Sequence, residues 1–223
     1  MFGSSSRSSS WQFWLRWVFA NVIGWFAGWT ILSLMIYVTL SFPEEPSSAD
    51  NNLASVILFM LVLFSGGVLG FSQWAALTVL KSRVHNISWW MPVTSGSFAI
   101  SFVAAFFLIP PLVLLILPLD PSAYWLYYIL IPGAIGLIVG LAQFSLIRRQ
   151  MPQAKYWILG SIFGWISCIL AMVGILVVVS SGITSPNFTY IFFLCGGAIG
   201  GGLYGAITGQ VWKRLIRNLE NTS

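Results

Sequence analysis

The chain has 223 residues, of which 58% are hydrophobic and only 7% charged, and its mean hydropathy is +0.89. Soluble domains carry roughly a quarter charged residues, so this composition excludes a water-soluble domain, a disordered chain and a secreted disulfide scaffold. The net charge of +5 would invite nucleic acid in a soluble protein. Here the ten Lys and Arg stand in four short clusters beside apolar runs, where charges flanking membrane helices belong, and nucleic acid is excluded as a partner.

The chain opens with a Ser-rich segment, and residues 1–16 are expected to be a cytoplasmic tail. The apolar run that follows, 17–40, is too long for a signal peptide, whose apolar region is about 7–15 residues and ends in a small-residue cleavage site. It is expected to stay as a first membrane helix. About 20 apolar residues cross the hydrocarbon core, and cutting the chain at its polar clusters gives six such runs: 17–40, 53–80, 89–117, 124–147, 156–180 and 189–212. The third contains Pro110-Pro111, which remove two backbone donors and should kink or break it. A basic tail, 213–223, follows the sixth. The expected fold is therefore a single all-α, six-helix transmembrane domain over 17–212.

Charge sets the orientation. Arg7 and Arg16 precede the first run, Lys81 and Arg83 join the second to the third, Arg148, Arg149 and Lys155 join the fourth to the fifth, and Lys213, Arg214 and Arg217 follow the sixth. The opposite loops hold Glu44, Glu45, Asp50 and Asp120 and no Lys or Arg. The positive-inside rule then places both termini in the cytoplasm, with the basic loops against anionic inner-leaflet lipids.

An internal repeat lies across these helices. The second run ends in Gly66, Gly70 and Gln73, and the fourth in Gly136, Gly140 and Gln143. The sixth, ending in Gln210, reads as a looser copy with its glycines out of step. The runs that re-enter from the basic side share a second pattern: Trp17, Asn21, Gly24 and Trp25 align without a gap with Trp90, Thr94, Ser97 and Phe98, and with Trp157, Ser161, Gly164 and Trp165. The unit is a helical hairpin, and it recurs as helices 2–3, 4–5 and, if the chain closes into a ring, 6–1. That predicts a compact bundle of three pseudo-repeated hairpins about an axis along the membrane normal.

The repeat resembles one in multi-pass membrane proteins of cyanobacteria and related bacteria, where Gly-x-x-Gln-Trp alternates with a Trp-x3-Ala/Ser-x2-Gly-Trp helix. The likeness covers residues 11–30, 63–101, 133–168 and, more loosely, 196–217. Only Gly70 to Trp74 matches the first motif in full; Phe144 and Val211 replace its Trp, and Ile207 replaces the Gly before Gln210. The resemblance implies a bacterial plasma or thylakoid membrane and a repeat fold, and it transfers no activity.

Small residues four apart let helices approach closely in lipid. Gly66/Gly70, Gly136/Gly140 and Gly201/Gly205 form such stripes, and Gly24/Gly28 and Gly160/Gly164 answer them. Internal packing is the expected use, and self-association through an exposed stripe is the sharper one. Gln73, Gln143 and Gln210 sit near the basic clusters and could converge on a polar head group or on the magnesium of a pigment. The plainer expectation is that they bond neighbouring helices, pairing with Asn21, Thr94 and Ser161. Most Trp and Tyr, including Trp11, Trp17, Trp90, Trp157 and Trp212, are expected in interfacial belts, whereas Trp25, Trp29 and Trp165 lie deeper and could line a cavity for a flat apolar ligand.

No Asp, Glu, Lys, Arg or His falls in the central part of any run. Such residues mark proton relays and ion pathways, and no ligand set for a metal is present, so neither a pump, a metal centre nor an enzyme is expected. No cofactor is predicted, although the fold admits a pigment or lipid. Two readings follow: a structural or accessory subunit of a membrane-protein complex, or a binding or transport component for a small uncharged or amphipathic ligand.

Overall fold

The computed structural model describes residues 5–40, 48–81, 84–105, 126–151, 153–180 and 187–222. Among these residues no strand forms, and the chain makes six α-helices: α1 (Ser5–Leu40), α2 (Ser48–Leu77), α3 (Trp90–Val103), α4 (Tyr127–Ile147), α5 (Lys155–Ser180) and α6 (Asn187–Thr222). Short 3-10 turns at Thr78–Leu80 and His85–Trp89 lie between α2 and α3. In hydrocarbon each backbone N–H and C=O must be bonded within the segment, and a helix does this locally. Among the described residues four helical stretches, Ser10–Leu34, Ser55–Leu80, Tyr127–Ile147 and Lys155–Ile175, are long and apolar enough to cross a membrane.

Both end helices run further than the apolar runs alone indicate. α1 is already helical at Ser5, within the expected tail, and α6 continues past residue 212 to Thr222. The cause is burial: Phe13 on α1 and Leu215 and Ile216 on α6 join a cluster with Met151 and Ala154 of the α4–α5 turn. Arg16, Arg214 and Arg217 meanwhile stay exposed on the outer faces. The break expected at Pro110-Pro111 lies outside the described residues.

Each helix packs on the next in the chain, and α6 packs back on α1, closing a ring. One core cluster gathers the ends where α1, α3 and α5 begin and α2, α4 and α6 finish; Phe13 of α1 meets Trp212 of α6 there, with ring centroids 6.0 Å apart. A second cluster, built around Trp25, Phe98 and Trp165, lies deeper along the helices.

Candidate functional site

At the basic end, Trp17, Trp90, Trp157 and Trp212 are each 0% exposed. All six pairings among them are ring contacts, with centroids between 5.4 Å and 6.2 Å apart. The interfacial position expected for these four is thus corrected: they fill the bundle axis, while Trp11, Trp89 and Tyr156 are exposed as a belt requires. Trp17 of α1, Trp90 of α3 and Trp157 of α5 stand at aligned positions of the sequence, and Trp212 closes the layer from α6.

Three of the four indoles donate to the next layer. Trp90 Nε1 bonds Gln73 Oε1 at 3.0 Å, Trp157 Nε1 bonds Gln143 Oε1 at 3.1 Å, and Trp17 Nε1 bonds Thr208 Oγ1 at 2.9 Å. An indole can only donate, so these bonds fix which end of each carboxamide is oxygen. Gln73 Nε2 then donates to Asn21 Oδ1 at 2.8 Å. Gln143 Nε2 donates to Thr94 Oγ1 at 2.8 Å and to Gln73 Oε1 at 3.2 Å. Asn21 Nδ2 turns back to the Trp17 carbonyl.

The structure therefore brings Gln73, Gln143, Asn21, Thr94 and Ser161 into one buried layer, but not Gln210, which is exposed. The third position belongs to Thr208, 0% exposed. The glycines explain the substitution. Gly66, Gly70 and Gln73 have the spacing of Gly136, Gly140 and Gln143, and on α6 the same spacing runs Gly201, Gly205 and Thr208. The sixth helix is in step after all, and it is the Gln that is displaced, by two residues and hence by about 200° around the helix.

A threonine is too short to replace a glutamine fully. Its hydroxyl accepts from Trp17 and donates to the Tyr204 carbonyl at 2.7 Å, and Ser161, which occupies the repeat position of Asn21 and Thr94, has no partner at bonding geometry. Tyr204, at the position of Leu69 and Val139 in the other copies, brings its hydroxyl close to Ser161 and Gln73.

The glycine stripes are spent inside the bundle. A Cβ built on Gly70 would lie 2.9 Å from both Met91 O and Thr94 Cβ; on Gly140, 2.9 Å from Ser161 Cβ; on Gly205, 3.0 Å from Asn21 Cβ and from Val18 Cα. These contacts join α2 to α3, α4 to α5 and α6 to α1. Gly66 meets Phe98, Gly136 meets the Ile162 backbone and Gly201 meets Trp25, while Gly24, Gly28, Gly160 and Gly164 face Ser72, Ser65, Val211 and Tyr204. None of these stripes is left exposed for self-association.

Above the polar layer Trp25 and Trp165 pack at 4.6 Å and Phe98 and Trp165 at 5.7 Å, again residues of one repeat position, with Tyr204 against both tryptophans. Chemically the centre is neutral and closed. Gln73 Oε1 accepts two bonds and Gln143 Oε1 an indole N–H, and both side chains are buried, so neither oxygen is presented to the magnesium of a pigment. Comparison with protein-family models, curated proteins and solved structures finds no match.

Proposed function

We propose that this chain is a multi-pass membrane protein built as three pseudo-repeated hairpins, α2–α3, α4–α5 and α6–α1, with both termini on the cytoplasmic face of a bacterial plasma or thylakoid membrane. Its role in this reading is non-catalytic: a rigid structural or accessory subunit of a larger membrane complex, held against anionic inner-leaflet lipids by its basic loops.

The observation that carries it is the use made of the interior polar groups. In a membrane, intramembrane polar side chains that serve transport or catalysis must be reachable by a substrate, an ion or water. Here Gln73, Gln143, Asn21 and Thr94 bond one another, and Gln73, Gln143 and Thr208 each accept an indole N–H, under a plug of four tryptophans. Each hairpin contributes the same bond from a Trp to the Gln or Thr of its partner helix, and the bonds of Gln73 to Asn21 and of Gln143 to Gln73 and Thr94 tie the hairpins to one another.

Purification of the tagged protein from its source membrane in a mild detergent tests the reading. Co-purification in a discrete complex of defined stoichiometry is the expected result; a lone monodisperse chain would overturn it. The orientation is tested separately by membrane-impermeant thiol labelling of cysteines placed at Lys81, Arg148 and Arg217, which should be reached only from the cytoplasmic side.

A further inference from the structure

The sealed centre occupies only the basic end of the bundle. Beyond the layer of Trp25, Phe98 and Trp165, on the side away from the glutamines, an apolar cavity of about 230 Å³ opens between α1, α3, α4 and α5. Trp29 of α1, Phe98 and Phe102 of α3, Tyr127 and Pro132 of α4 and Trp165 of α5 form its walls. We infer that this cavity is a binding site for one uncharged flat ring compound, of up to two fused rings, taken up from the bilayer.

Three observations lead there. First, the walls are almost wholly apolar atoms, and a cavity of that kind stays dry and takes an apolar guest; one of about 150 Å³ lined by Leu, Ile and Phe holds benzene. The extra volume here matches a second fused ring. Second, aromatic side chains reach the space from four different helices, so a planar guest gains face and edge contacts on several sides. An acyl chain would gain only dispersion. Third, almost no polar atom faces the space, and Gln73 and Gln143 lie on the far side of the Trp165 layer, bonded to other side chains, so a charged or strongly hydrogen-bonding guest finds nothing to pair with. The inference goes beyond the structural role proposed above and does not depend on it.

The test uses the full chain in nanodiscs of a single zwitterionic lipid, with 1-bromonaphthalene as probe and intrinsic tryptophan fluorescence as readout. Trp29 and Trp165 line the cavity and should be quenched on contact in a phase that saturates near one equivalent, on top of a linear component from probe dissolved in lipid. Unbrominated naphthalene should relieve the saturating phase by competition, a result that needs no variant. Ala105→Phe and Ile135→Phe, which fill the space from just past the end of α3 and from α4, should remove that phase while leaving the linear one. Quenching that is linear throughout in the native chain, or a saturating phase that survives both filling variants in folded protein, would overturn the site. A saturating phase given by 1-bromododecane and not by bromonaphthalene would overturn the ring class in favour of a lipid chain.

Discussion

Gln143 Nε2 donates to Gln73 Oε1 across 3.2 Å, tying α4 to α2 through side chains 70 residues apart. Gln143 also bonds Thr94 on α3 and receives Trp157 from α5, so one side chain of α4 is bonded to three other helices. Interhelical polar bonds in bilayers average about 0.6 kcal/mol, but truncation leaves buried donors orphaned at about 1–3 kcal/mol each. Gln143→Leu should therefore destabilise the bundle by about 2–4 kcal/mol in a mixed-micelle unfolding titration, with Gln210→Leu within about 0.5 kcal/mol of the native chain. Equal effects from the two would mean that Gln210 belongs to the network after all.

The same repeat position offers a sharper comparison. Thr94 Oγ1 accepts from Gln143, whereas Ser161 Oγ is buried without a bonded partner. Deleting a hydroxyl that makes a bond should cost about 1 kcal/mol, while deleting an orphaned one removes a desolvation penalty. Thr94→Ala is thus expected to lower the midpoint of thermal unfolding in detergent, and Ser161→Ala to leave it unchanged or raise it. A loss at Ser161 equal to that at Thr94 would show that the hydroxyl is paired in the membrane, by Tyr204 or by a buried water.

Much of this was legible in the chain itself. Six apolar runs gave the helical membrane class because lipid leaves so few alternatives, and the Trp-x3-Asn/Thr/Ser pattern marked the residues that meet at the centre. What misled was chemical identity. Aligning the sixth helix on Gln210 put its glycines out of register, although a Cβ at Gly201 or Gly205 is forbidden by contact with Trp25, Asn21 and Val18, a stricter constraint than which polar group follows. Trp212 departs from its expected place for a related reason. A tryptophan beside lysine and arginine looks interfacial in sequence, and only the convergence of six helix ends shows that it lies on the axis. The cavity was legible only as deep tryptophans, since a void is set by what neighbouring helices fail to fill.

Glycine positions separate packing from mere composition. A Cβ on Gly136 would lie 2.7 Å from Ile162 Cα and 2.8 Å from Ser161 O. Both are backbone atoms, so only a shift of α5 relieves the clash. Gly136→Ala should cost about 1–3 kcal/mol as an overpacked site. At Gly174 nothing lies within 4 Å, and alanine there should be neutral or stabilising by up to about 1 kcal/mol through helix propensity. Unfolding titrations of the two variants side by side check this, and similar stability for both would show that α4 and α5 are not in such close contact.

Closure of the ring through α6 and α1 can be trapped covalently. The nearest atom to a Cβ built on Gly202 is Val22 Cγ2 at 3.5 Å, so the two positions face each other between α6 and α1, and a small adjustment sets their Cβ atoms at the roughly 3.5–4.5 Å that a disulfide spans. The native thiols, Cys168 and Cys195, are free and are first replaced by alanine. Val22→Cys with Gly202→Cys should then oxidise within one chain and join two helices from opposite ends of the sequence. The product should run as a compact monomer on a denaturing gel and return to normal mobility with reductant. Control chains with Val22→Cys and Gly174→Cys should not cross-link. If the first pair forms only chains of doubled mass, α1 packs on the α6 of another copy, and the bundle closes by exchange between molecules.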